Sequence, residues 1–149
     1  MASPNQLSAL GTYLCSSGIG HFVWEVLQLP LYTIWAEPFL QQAFAILHCT
    51  AGDLLIALCT LVAASFAVAN TTWPKGRFWR VGAATIVLGV GYTIFSEWLN
   101  VTVRGSWAYS EWMPIVPVFG LNIGLTPLIQ WLVVPAAAFA ITRRLQPGT

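Results

Sequence analysis

Apolar residues gather into four long stretches separated by short polar breaks. They run from about Leu10 to Trp35, from Phe39 to Ala69, from Phe78 to Val101 and from Leu121 to Ile141. A helix of about 20 mostly apolar residues crosses the hydrocarbon core of a bilayer, and each stretch has that length. The pattern predicts an all-α protein, an integral membrane four-helix bundle occupying a single domain over residues 1–149. Pro38 and Pro74 stand at or near span starts, where a missing amide hydrogen costs little. Pro30, Pro127 and Pro135 fall within apolar runs and predict kinks. Residues 105–120, GSWAYSEWMPIVPVFG, match neither a span nor a polar loop. Their aromatic residues and two prolines predict an interfacial segment between helices 3 and 4, placed at the outer surface or dipping in as a lid.

Composition strengthens the membrane reading. Hydrophobic residues make up 57% of the chain and charged residues only 7%, against roughly a quarter in soluble domains. The charges also give a direction. Lys75, Arg77 and Arg80 lie between spans two and three, and Arg143 and Arg144 follow span four. Arg104 alone lies between spans three and four, and the first loop holds Glu37. Five of the six basic residues therefore fall on one side, which the positive-inside rule makes cytoplasmic. The expectation is a multi-pass protein of the inner (cytoplasmic) membrane, N-in and C-in. Trp35, Trp73, Trp79, Trp98, Trp107 and Trp112 fall near span ends, as an aromatic belt requires. A net charge of +1 without a basic run predicts no nucleic-acid partner. No positive charge precedes the first apolar run, and a bulky Leu14 precedes Cys15, so the N-terminus reads as retained. Cys15, Cys49 and Cys59 show no CxxC spacing and read as buried small hydrophobes.

Ionisable side chains inside a membrane need a partner or a function. His21 and Glu25 are four apart on span one, with Gln28 extending the same face. Span two carries His48, Cys49 and Asp53 within LHCTAGD. Span three carries Tyr92, Ser96 and Asn100 at intervals of four beside Glu97, and span four carries Asn122, Thr126 and Gln130. Counting inward at about 1.5 Å per residue puts His21 level with Asp53, and Glu25 level with His48 and Cys49. Gln28, Tyr92 and Gln130 fall a little further out, with Glu97, Asn100 and Thr126 near the outer surface. The polar residues thus form one column opening to the periplasmic side. Ser96, Asn100, Asn122 and Thr126 suit hydrogen bonding between helices. A buried carboxylate has cheaper substitutes if packing is its only role, so Glu25 and Asp53 point to chemistry. Gly82, Gly89 and Gly91 read as sites of close helix approach.

A carboxyl group in an apolar site can keep its proton and donate it to an alkene or carbonyl. Glu25, His21, Asp53 and Glu97 are the candidate catalytic residues. Trp24, Gln28, Tyr92, Trp98, Gln130 and Trp131 are the candidate substrate contacts, the tryptophans offering faces that stabilise a developing carbocation. The expected substrate or ligand is a membrane lipid or a hydrophobic, isoprenoid-like small molecule. Two resemblances bear on this. HFVWE, with Glu97 and the Gln130-Trp131 pair, resembles the EXPERA group of sterol isomerase and sigma-2-like proteins. The stretch from Glu97 to Trp131, with RGSWAYS and PLIQW, is similar to segments of bacterial membrane carotenoid cyclases and hydratases. It lacks the paired-carboxylate signature of those cyclases. These resemblances imply an isomerase, hydratase or cyclase type of reaction. The whole chain resembles a group of small bacterial four-span membrane proteins, which implies no activity.

Two other readings fit the same residues. His21, Glu25, His48, Cys49 and Asp53 together offer nitrogen, oxygen and sulfur ligands for a metal ion, or the two histidines a haem clamp. No HExxH spacing accompanies them. The column also suits a non-catalytic accessory subunit, so a homo-oligomer or a larger membrane complex is a further expectation.

Overall fold

In the computed structural model, which describes residues 3–70 and 72–146, a capping box starts the first helix. The Ser3 hydroxyl accepts from the Gln6 amide, and the Gln6 side chain accepts from the Ser3 amide. Helix α1 spans Pro4–Gln28, α2 Phe39–Ala67, α3 Phe78–Glu97 and α4 Leu125–Leu145. The outermost positions of the expected domain 1–149 and Thr71 lie outside the described residues. The helices form an up-and-down bundle in which α1 and α3 each pack against both α2 and α4. One end, called the base below, holds the start of α1 and the α2–α3 turn. The other holds the α1–α2 and α3–α4 connections.

Large apolar side chains face outward on every helix: Ile19 and Leu27 on α1, Phe44 and Phe66 on α2, Val87 on α3, Leu132 on α4. The interior mixes Ala9, Ala57, Ala64 and Phe139 with Ser17, His21, Thr85, Gln130 and Thr142. That inversion of the soluble pattern suits an apolar surrounding. Among the described residues three helices are long and apolar enough to cross a membrane: α2, α3 with its extension to Arg104, and α4. Helix α1 has the length, but Ser16, Ser17, His21 and Glu25 lower its hydropathy. Close approach is concentrated at two glycines. A Cβ on Gly89 would stand 2.2 Å from Trp131 Cε3, and one on Gly20 2.7 Å from Val134 Cγ1. A Cβ on Gly82 would make ordinary contact with Phe139, and Gly91 faces open space, so only Gly89 of the three expected glycines permits a tight crossing.

The end opposite the base departs from the all-α expectation. Helix α1 stops at Gln28, and Pro30 begins a short 3-10 turn, Leu29–Leu31, followed by another over Thr33–Ala36. Pro30 therefore ends a helix instead of kinking one, and Pro127 sits harmlessly in the first turn of α4. Pro135 does lie inside α4. Helix α3 continues as a π-helical stretch over Trp98–Arg104. Residues expected to open span four instead form a hairpin, β1 (Ile115–Val118) with β2 (Leu121–Gly124), with Val116 opposite Ile123. β-branched Ile115, Val116, Val118 and Ile123 favour extended backbone, and Phe119 and Gly120 both take positive φ in the two-residue turn. The expected interfacial segment is thus an ordered strap, stitched to the α1–α2 connection. The Thr33 amide donates to Ala108 O at 2.9 Å, the Ser110 amide to Leu31 O at 2.9 Å and the Ser110 hydroxyl to Pro30 O at 3.0 Å.

Candidate functional site

The side-chain amide of Gln130 joins three helices. Its Nε2 lies 3.0 Å from His21 Nδ1 and Glu25 Oε1 on α1 and 3.0 Å from Asp53 Oδ2 on α2. Gln28 Nε2 donates to Glu25 Oε1 at 2.9 Å and to Gln130 Oε1 at 3.3 Å. The level match between His21 and Asp53 expected from helix counting corresponds to a 3.3 Å contact between Nδ1 and Oδ2. Gln130 itself sits deeper than expected, at the His21–Asp53 level, because α4 starts beneath the hairpin. Hydrogen counting constrains the cluster. An amide nitrogen carries two hydrogens, and three acceptors surround this one. Two bare acceptors do not approach to hydrogen-bonding distance, so the His21–Asp53 contact needs a hydrogen of its own. It can sit on Nδ1, donated to Oδ2, with the two Gln130 hydrogens going to Oε1 and Oδ2, or on Oδ2, donated to Nδ1. His21 Nε2 then remains a buried ring nitrogen with no hydrogen-bond partner.

Glu25, Gln28, Asp53 and Gln130 form one wall of a cavity of about 820 Å³. Tyr92, Glu97 and Trp131 line it too, as do His48 and Cys49. Leu40, Phe44 and Ile56 supply apolar wall, while Asn100, Arg104 and Trp107 line it toward the strap end. The structure therefore brings together three of the four expected catalytic residues and four of the six expected substrate contacts. His21 is wholly buried and off the cavity wall, in contact with the lining residues Gln130, Asp53 and Trp131. Trp24 and Trp98 are not on the cavity wall. Each stands one residue from a lining carboxylate, about 100° around the helix; Trp98 packs against Phe95 instead.

Glu97 joins the cavity to the strap. Its Oε2 accepts from Tyr109 Oη at 2.5 Å and from Tyr32 Oη at 3.4 Å. The Tyr109 oxygen accepts in turn from the Gly124 amide at 2.9 Å, so one hydroxyl connects a carboxylate to the hairpin. Burial, and then the Glu97 carboxylate beside it, push the Tyr109 phenol above its ordinary value. Sequence reasoning missed Tyr32 and Tyr109 as partners of Glu97. The only available signal was the cluster of aromatic residues in SWAYSEW.

Several finer expectations change. Cys15 and Cys59 are exposed on helix surfaces, and Cys49 is half-buried on the cavity wall. In an apolar surrounding an outward-facing cysteine needs no burial in protein. Asn100 donates to Ser96 O at 2.9 Å within its own helix, not across helices, and Asn122 is exposed on the hairpin. Thr126 meets Met113 Sδ at 3.3 Å. Among the described residues no three His, Cys, Asp or Glu side chains are grouped to hold a metal ion. His48 stacks on Phe44 with ring centroids 5.5 Å apart, and the Gln130 amide occupies the centre of the triangle that His21, Glu25 and Asp53 make. No protein-family model, curated protein or solved structure matches the chain.

Proposed function

We propose that this is a four-span protein of the inner membrane, N-in and C-in, whose cavity opens toward the periplasmic side. There it binds a lipid- or isoprenoid-like molecule and performs acid/base chemistry on it. Five of six basic residues on one side support the orientation. Outward-facing Trp35 and Trp112 at one end and Trp79 near the other fit the two interfaces of a bilayer. Three helices have a span's length and apolarity. Helix α1 joins them as the fourth because its polar side chains His21 and Gln28 turn inward while Ile19 and Leu27 face out.

The observation that carries the chemical reading is the cluster centred on Gln130 in the wall of a large, partly apolar cavity. A space of about 820 Å³ falls in the range of pockets for small organic molecules, about 300–1,000 Å³. Carboxyl groups from α1, α2 and α3 reach it, beside the aromatic rings of Tyr92 and Trp131. In the proposed reaction one carboxylic acid, Glu25 or Asp53, delivers its proton to an alkene carbon. The electron deficit at the neighbouring carbon is stabilised by the aromatic faces. A carboxylate then takes a proton from the adjacent carbon, so a double bond moves and no net proton is consumed. The resemblance of HFVWE and Gln130-Trp131 to the EXPERA group supports the same reaction class. Mass spectrometry of the gently purified protein tests the binding half. A co-purifying lipid or isoprenoid, displaced when Trp131 is replaced by Ala, is expected. A ligand-free protein that takes up no added isoprenoid counts against it.

A further inference from the structure

Tyr13, Ser17 and His21 stand four residues apart on α1, one above another on the same helix face. All three are wholly buried. Each has a polar atom without a hydrogen-bond partner: Tyr13 Oη, Ser17 Oγ and His21 Nε2. The Tyr13 and Ser17 hydroxyls are neighbours, yet their geometry leaves neither satisfied. Trp73 Nε1, at the base, is a fourth such atom, on a ring centred 6.2 Å from that of Tyr13. The Trp73 carbonyl accepts from Gln6 Nε2 at 3.1 Å, near the start of the chain's first helix.

Leaving a polar group buried and unsatisfied costs about 1–3 kcal/mol. Phe, Ala or Leu would fill the same interior without that cost, so packing alone does not account for three such atoms on one helix face. The spacing suits water. Residues one turn apart rise about 6 Å along the axis, and a single water bridging Ser17 Oγ and His21 Nε2 would span about 5.6 Å. The adjacent Tyr13 and Ser17 hydroxyls can pass a proton directly, so one water between Ser17 and His21 completes the line.

We propose that Tyr13, Ser17 and His21 form a water-bridged proton path from the base of the bundle to the Asp53–Gln130–Glu25 cluster. A water at the base releases one proton into the line, and each hydroxyl or water accepts one and passes one on. His21 Nε2 takes the last, and the Nδ1 hydrogen moves to Asp53 Oδ2. One proton has then travelled from water to a carboxylate, and nothing is oxidised or reduced. The path runs equally in reverse, so it equilibrates the cluster with the base side. It does so from the end opposite the cavity mouth, and therefore also when a ligand fills the cavity. The inference rests on the buried line of α1 and holds whether or not the cavity performs chemistry.

The chain has two histidines, His21 and His48, so nitrogen-15 NMR of histidine-labelled full-length protein in nanodiscs reads the site directly, with His48→Ala giving the assignment. The His21 ring hydrogen is expected to exchange with solvent despite complete burial. Tyr13→Phe and Ser17→Ala are each expected to slow that exchange by about tenfold or more, with Ser17→Thr restoring it. The His48 signal serves as the folding control. Wild-type exchange rates in both Tyr13→Phe and Ser17→Ala overturn the path, as does a wild-type His21 sealed from solvent over hours.

Discussion

Replacing Gln130 by Leu tests the joint that holds the candidate site together. The two side chains have similar volumes, so the change removes polar contacts without opening a large cavity. Gln130 is 2% exposed, and water cannot readily replace what is lost. Its amide supplies hydrogens to Glu25 Oε1 and Asp53 Oδ2, both at 3.0 Å, and its carbonyl accepts from Gln28 at 3.3 Å. Stranding a buried hydrogen-bonding group costs about 1–3 kcal/mol. Gln28 still donates to Glu25 and His21 still faces Asp53, which offsets part of the loss. The expected destabilisation is about 2–4 kcal/mol, read as an earlier midpoint when protein in mild detergent is titrated with a denaturing one. Glu25→Gln in the Gln130→Leu background replaces the stranded carboxyl group, so the double variant should lose at least about 1 kcal/mol less than the two single losses added together. A shift below about 0.5 kcal/mol for Gln130→Leu, the range of ordinary surface changes, would refute the reasoning that this amide is a structural and electrostatic hub.

Three further outcomes follow from the same geometry. Gly89→Ala drives a Cβ into the Trp131 ring and should destabilise by about 1–3 kcal/mol. Gly91→Ala, facing open space on the same helix, should be neutral or slightly stabilising, and thermal unfolding of the pair separates the two cases. Tyr109→Phe removes the bond to Glu97 and the acceptor for the Gly124 amide, so limited proteolysis should cut the 105–120 strap faster while leaving the helices intact. Because the Tyr109 phenol is raised by burial and by Glu97, its contribution is complete below the ordinary phenol value of about 10 and is lost as pH rises beyond it. Strap protection should therefore be flat through neutral pH and fall in strong alkali, and a fall centred near pH 7 would contradict the assignment.

Much of the bundle was legible because its signals are periodic and local. The boundaries of α2 and α3 follow the apolar runs from Phe39 and Phe78 closely. The spacing of His21 and Glu25 puts both on one helix face, and counting from the span ends puts Asp53 level with His21, which it contacts. What the sequence hid was non-local. Residues 121–124 are as apolar as a helix start, and only their pairing with residues 115–118 makes them a strand. Gln130 read as a ligand contact, since nothing in its own neighbourhood says that one amide meets side chains 77, 105 and 109 residues away. Trp24 and Trp98 suit cation–π stabilisation by residue type, but helical phase turns them away from the cavity. Tyr32 and Tyr109 find Glu97 only because the α1–α2 connection and the strap fold against each other.

In the proposed function, carboxyl groups on the cavity wall act on a lipid- or isoprenoid-like molecule. Glu25→Gln tests it with little structural disturbance, because the new amide oxygen can still accept from Gln130 and Gln28. The decisive measurement is a quantitative lipid and isoprenoid profile of cells producing Glu25→Gln protein at the same level as the wild type. One species is expected to accumulate and its double-bond isomer, hydrate or cyclised form to disappear. Identical profiles in cells with wild-type protein, the variant and no protein would contradict it.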